Sequence, residues 1–227
     1  MTLKPLLILS ACLALMLTAC SKDSTTDIEQ TKANNDTEQV QTIRIAAAAN
    51  LSDVLPDIIE GYKTDNDLPA TEIEVTYASS GKLYAQIISG APYDIFLSAN
   101  QEFPAKLVNE KLADQSSFDK KQSQPFTYTQ GQLALYSVNH SLSDIDAASL
   151  NQVLTTASKG KVAIANPELA PYGASAKVYL QQQNIYDSLL EQKRLIQAEN
   201  IGQAFQYTHT GNVDYGFVAQ SQLTAIK

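Results

Sequence analysis

The stretch TYASSGKLYAQI, residues 76–87, decides the fold. Its first residues end the β-type run EIEVTYA (72–78), and with no room for a loop a helix-like pattern, SGKLYAQIISG, starts at once and is closed by Gly90. A strand that runs directly into a helix is the unit from which α/β sheets are built. The two serines and the glycine at the changeover raise a separate question, because hydroxyls at a helix start either cap the helix or face a ligand.

The same alternation extends in both directions. Upstream, TIRIAAA (42–48) reads as a strand, followed by a helix in which Leu51, Val54, Leu55, Ile58, Ile59 and Tyr62 recur at helical spacing. Downstream come the strand YDIFLSA (93–99) and the helix EFPAKLVNEKL (102–112). QSSFDKKQSQPFTYTQ (115–130) is polar and helix-poor, and the strand GQLALYSV (131–138) follows it without a helix of its own. Units then resume with SLNQVLTT as helix, KVAIAN as strand, SAKVYLQQQNI and NIGQAFQYTH as helices, and DYGFVAQ as strand. The pattern predicts an α/β protein of mostly parallel sheets in two lobes, residues 42–125 and 126–227, joined by extended crossings. Such a clamshell takes a small ligand in its cleft, at the carboxyl ends of the strands.

The N-terminus reads differently. MTLKPLLILSACLALMLTAC has a basic start at Lys4, an apolar run from Leu6 to Leu17 and small residues before Cys20, the pattern of a secretory signal, residues 1–19. Leu17-Thr18-Ala19-Cys20 also resembles a lipobox, with cleavage before Cys20 and acylation of its thiol. Cys12 would leave with the signal, so no disulfide is expected in the exported protein. Residues 20–41 are polar and almost without aliphatics, a disordered tether between lipid and domain. The expected location is the periplasm or cell envelope, lipid-anchored to a membrane.

At 44% hydrophobic and 18% charged, the bulk of the chain has a globular composition. A net charge of −8 without a basic stripe argues against nucleic acid. An acidic chain can still hold an anion, since a buried anion feels aligned donors within a few ångströms rather than the net charge. Four segments offer such donors at helix starts: Ala49-Asn50-Leu51, Ser79-Ser80-Gly81, Pro171-Tyr172-Gly173-Ala174 and Glu199-Asn200-Ile201-Gly202. Taken singly, Asn50, Ser80 and Asn200 read as plain N-caps; their distribution, two starts in each lobe, favours an oxyanion. SSGK lacks the flanking residues of a nucleotide phosphate loop. His140 and His209 stand apart without metal-ligand spacing. A serine hydrolase would have to join Ser79 or Ser80 to His209 and Asp214 without a nucleophile elbow, so no enzyme and no cofactor is expected.

AAAANL, YASSGKLYAQIISGAPYDIFLSAN, VAIANPELAPYGASAKVYL, AENIGQAF and DYGFVAQ, in this order, resemble the molybdate-binding proteins of bacterial molybdate ABC importers over residues 42–227. The resemblance implies a periplasmic type II solute-binding protein, monomeric, that holds molybdate or tungstate through neutral hydroxyl and backbone N–H donors and passes it to a membrane permease and its ATPase. The alternative is another small oxyanion such as sulfate. Carried over position by position, the oxyanion ligands are Asn50, Ser80, Tyr172 and Ile201. Ala219 stands where many members carry a tyrosine, and the phenol of Tyr172 is expected to replace it. Members also continue beyond the position of Lys227 and return to the first lobe, so the chain is expected to lack those elements and to leave apolar surface on that lobe.

Overall fold

The computed structural model describes residues 42–110, 124–143, 145, 149–156, 160–224 and 226. The signal, the tether and Cys20 lie outside the described residues. The chain begins with β1 (Thr42–Ala48), a 3-10 turn (Ala49–Leu51), α1 (Leu55–Asp65), β2 (Glu72–Ala78), α2 (Ser80–Ile88), β3 (Ile95–Leu97) and α3 (Glu102–Asn109). It continues with β4 (Leu133–Tyr136), α4 (Leu150–Thr156), β5 (Val162–Ala165), α5 (Pro171–Gln182), α6 (Tyr186–Glu191), β6 (Leu195–Ala198), α7 (Ile201–His209), β7 (Tyr215–Ala219) and α8 (Gln220–Thr224).

Two sheets result, the first ordered β2-β1-β3 and wholly parallel, the second β4-β7-β5-β6. In the second sheet β5 pairs in parallel with both β6 and β7, and β4 is antiparallel to β7. The expected α/β fold of mostly parallel sheets is therefore present. The C-terminal half of β1 and the whole of β5 are apolar on both faces, as parallel strands covered by helices must be. On β1, Ile45 and Ala47 pack with Leu51 and Leu55, while Ala46 packs with Ala78 of β2 and Leu83 of α2. On β5, Val162 and Ile164 join Leu154, Leu180 and Leu189, whereas Ala163 and Ala165 belong to a second cluster of small residues with Ala170, Ala198, Ile201 and Ala204. Small side chains there let helices approach closely: a Cβ on Gly173 of α5 would lie 2.2 Å from the carbonyl oxygen of Ala165.

Two details depart from the sequence reading. α6 and β6 were not anticipated, and β6 extends the second sheet at its edge. α1 starts at Leu55 rather than near Asn50, because Asn50 belongs to the 3-10 turn and Pro56 suits the first turn of a helix better than its interior. Only part of the apolar stripe of α1 is covered: Leu55 is buried, but Ile58 is 61% and Tyr62 50% exposed.

The two sheets pack into one compact body. Beyond β3 the chain crosses from the first sheet to the second, and residues 124–132 of the crossing are pinned to the end of β3. Gln101 Nε2 donates to Thr127 Oγ1 at 2.6 Å, and the Tyr128 hydroxyl donates to the Ser98 carbonyl at 3.2 Å.

Candidate ligand-binding site

A cavity opens at the carboxyl ends of the strands. Ala48 at the end of β1 and Ala78 at the end of β2 form its floor on one side; Ala170 and Pro171 close it on the other. The space among these residues, open solvent included, is about 190 Å³. Even counted so, it is below the range of pockets for drug-sized ligands, so any ligand held here is small.

All four predicted ligand positions, Asn50, Ser80, Tyr172 and Ile201, line this one cavity, and so do Ser79, Ala99 and Asn200. The convergence follows from the topology. β2, β5 and β6 each run toward the cavity and are followed by α2, α5 and α7, whose first N–H groups have no intrahelical partner, while β1 runs into the 3-10 turn that carries Asn50. Tyr172 is in the first turn of α5 behind Pro171, which has no N–H, and the first intrahelical donor there is Ala174 N–H, to Ala170. Ile201 is the first residue of α7.

The side chains divide into those already satisfied and those that are not. Asn200 is a true N-cap: its Oδ1 accepts from the Gln203 N–H at 3.0 Å, and Gln203 Oε1 accepts in turn from the Glu199 N–H at 2.7 Å. The plain capping reading therefore holds for Asn200. Ser79 rather than Ser80 precedes α2 as its N-cap residue, yet its side chain makes no capping bond. Ser79 Oγ is 3% exposed as a residue and has no hydrogen-bond partner, and the same is true of Oδ1 of the buried Asn50. A buried polar atom left unpaired costs about 1–3 kcal/mol, and two of them sharing one cavity point to a polar ligand. A half-turn of the Asn50 amide presents Nδ2–H instead of Oδ1, so this position serves as a donor as readily as an acceptor. Ser80, 1% exposed, accepts from the Ala99 N–H at 2.9 Å. That bond occupies an acceptor position of the hydroxyl and leaves its proton for donation.

The lining is electrically neutral: Tyr172 is its only titratable group, and burial raises its phenol above the ordinary tyrosine range. Its hydroxyl makes no hydrogen bond among the described residues and rests against Gly131 in the crossing segment. Ala219, where the resemblance places a phenol in other chains, lies fully buried in the small-residue cluster with Ile201 and Ala49. Just outside the lining, Lys82 of α2 forms an ion pair with Glu199, so the two cavity-facing helix starts are bridged. The Gly81 N–H also donates to the Leu169 carbonyl at 2.8 Å.

Nothing here assembles a hydrolase. His209 stands at the far end of α7 from Ile201, about 12 Å along the helix axis. Its Nδ1 bonds the Tyr136 hydroxyl at 2.9 Å and its ring stacks on Phe205. Asp214 is engaged by His140 at 3.4 Å and by the Lys161 N–H at 2.8 Å. The sequence reading left Ser79 out of the ligand set; the helix start was legible, but which of the two hydroxyls stays unpaired depends on Ala99, from another strand end.

Comparisons with known proteins agree with this fold. Residues 43–227 match the family described as bacterial extracellular solute-binding protein. The molybdate-binding protein ModA of Rhodobacter capsulatus is 40% identical over 151 residues, covering 66% of this chain and 54% of the relative. The chain thus spans about half the length of that relative. The putative ABC transporter substrate-binding lipoprotein YvgL of Bacillus subtilis is 29% identical over 86% of this chain and 69% of its own length. The solved periplasmic molybdate-binding protein of Azotobacter vinelandii superposes with a TM-score of 0.67 at 33% identity, covering 78% of this chain and 71% of that one.

Proposed function

We propose that this chain, which belongs to the bacterial extracellular solute-binding protein family, captures molybdate or tungstate outside the cytoplasm and delivers it to an ABC importer. The observation that carries the reading is the neutral cavity in which Asn50 and Ser79 keep unpaired polar atoms beside the helix starts of α2, α5 and α7. The names of relatives supply the choice of oxyanion; the chemistry of the lining fits it. A fully ionised tetrahedral dianion accepts from every side and donates nothing, which matches the hydroxyls of Ser79 and Ser80, the amide of Asn50 and the N–H groups of Tyr172 and Ile201. Hydrogen bonds to a charged group contribute about 1.5–3 kcal/mol each, so a handful of them holds a five-atom anion at micromolar strength or better. Monohydrogen phosphate carries a proton and requires an acceptor, which favours molybdate over it.

In this reading the two sheets are the cores of two lobes, residues 42–125 and 126–227, that close on the anion, with the 124–132 crossing as part of the hinge. Cys20 carries the lipid, the protein acts as a monomer in the periplasm or cell envelope, and its partners are the permease and ATPase of the importer. It performs no catalysis. Calorimetry against an oxyanion panel tests the assignment. Molybdate and tungstate should bind within about tenfold of each other, and sulfate, which leaves fixed donors unpaired, about a hundredfold more weakly. Sulfate binding as tight as molybdate would replace the assignment with a general oxyanion carrier.

A further inference from the structure

We propose that Gly131 is a positioning residue for the ligand site: its missing side chain is the seat that holds the Tyr172 phenol, and through it the size and selectivity of the cavity. The inference rests on the oxyanion reading above and adds to it a residue outside the lining. A Cβ at position 131 would lie 1.9 Å from the Tyr172 hydroxyl oxygen, 2.9 Å from Cζ and 3.6 Å from Cε1, so its three nearest neighbours all belong to Tyr172. Gly131 is solvent-exposed and outside every helix and strand, and its φ is not left-handed, the glycines with positive φ being Gly90 and Gly211. Neither backbone conformation nor core packing therefore calls for glycine here; the Tyr172 ring does.

The ring packs on the small-residue cluster on one side, but no hydrogen bond among the described residues fixes its hydroxyl end. It contrasts in this with Tyr128 beside it, whose hydroxyl is anchored on the Ser98 carbonyl. The clashing atoms belong to the far end of a side chain, which can rotate, so a methyl at 131 displaces the ring rather than the backbone. A displaced ring swings about χ1 and χ2 from a residue that lines the cavity, and the space beside the anion changes with it. Gly131 lies in the crossing between the two sheets, so the seat also ties the ligand site to the segment on which closure turns.

The test compares wild type, Gly131→Ala, Tyr172→Ala and the double variant. Gly131→Ala should fold normally, lose about tenfold or more in molybdate affinity and lower the molybdate-to-sulfate affinity ratio. In the Tyr172→Ala background the same change should do nothing, because no ring remains to be displaced. Equal losses in both backgrounds, no loss in either, or a Gly131→Ala protein that fails to fold would each overturn the proposal. Nitration of Tyr172 in the ligand-free protein, read by peptide mapping, keeps the test separate from the oxyanion assignment. Wild type that binds no molybdate removes that assignment alone. A Tyr172 nitration rate severalfold changed by Gly131→Ala supports the seat even then, and an unchanged rate removes it.

Discussion

The backbone N–H of Gly81 donates to the carbonyl oxygen of Leu169 at 2.8 Å, tying the first turn of α2 to the turn before α5 across the ligand cavity. The contact is as close as it is because position 81 has no side chain: a Cβ there would lie 3.0 Å from that oxygen and 3.1 Å from the Leu169 Cα, both backbone atoms that cannot rotate away.

Gly81→Ala should accordingly hinder closure more than folding. The remaining close neighbour, Phe103 Cζ at 2.9 Å, is the end of a movable side chain. We expect molybdate affinity to fall about tenfold to a hundredfold and ligand-induced compaction in solution scattering to shrink, with the ligand-free melting temperature little changed. Full compaction with unchanged affinity would show that the Leu169 contact is not part of the bound state.

The two adjacent serines should respond with opposite signs in the absence of ligand. Ser80→Ala deprives the Ala99 N–H of its acceptor, which costs about 1–3 kcal/mol of stability. Ser79→Ala removes an oxygen that has no partner, so ligand-free stability should hold or rise. Both should weaken molybdate binding. Thermal melts with calorimetry on the two variants check this, and equal destabilisation by both would contradict it.

Binding should be flat from about pH 6 to 8, since the cavity lining holds no group that titrates there. At alkaline pH the sign is set by Tyr172, whose phenol burial holds above its ordinary value of about 10. The folded state then keeps a proton that the unfolded chain has lost, so this contribution is complete below about pH 10 and is lost as pH rises through the folded value. Affinity should fall in the same window, because a phenolate faces a dianion. Tyr172→Phe should abolish the Tyr172 part of that fall. A break in affinity near neutral pH in a titration of the wild type would contradict the neutral lining.

The Lys82–Glu199 pair bridges α2 and α7 while both side chains stay about half exposed, 48% and 47%. Pairs so exposed contribute about 0–1 kcal/mol, so Lys82→Met should change global stability little and molybdate affinity by no more than about fivefold. The effect should disappear at about 1 M salt, where screening acts within about 3 Å. A large, salt-independent loss would instead place Lys82 in contact with the anion.

In the proposed function, attachment to the membrane rests on Cys20. Cys20→Ser should leave the protein soluble or unprocessed, as fractionation and mass spectrometry of the N-terminus would show. Processed protein still in the membrane after that change would rule out the lipid.

Local patterning made most elements legible because strand and helix periods alternate cleanly from Thr42 to Ala219. α6 and β6 escaped it: YDSLLEQK is short and polar, and LIQA follows an arginine that ordinarily marks surface. Arg194 is in fact buried, and it is satisfied by carbonyls far away in sequence, Nε on Gly160 at 2.7 Å and Nη2 on Leu154 at 2.6 Å. No local pattern announces such a partner. The same limit applies at the site. Helix starts show in the sequence through Asn50, Ser80, Tyr172 and Ile201, whereas the unpaired Ser79 hydroxyl, the Gly81–Leu169 contact and the Gly131 seat arise only where distant segments meet.

β7 lies between β4 and β5 although, among the described strands, it comes last in sequence, and Leu133 pairs across the sheet with Ala219. The second sheet therefore cannot be completed on a growing polypeptide: until residues 215–219 have emerged, β4 has no neighbour and β5 has only β6. Pairings so distant in sequence form slowly, since the closure entropy of the intervening chain must be met before any contact rewards it. A nascent chain built this way keeps its second sheet open from the emergence of β4 until that of β7, an interval in which the proposed export would thread an unfolded segment across a membrane.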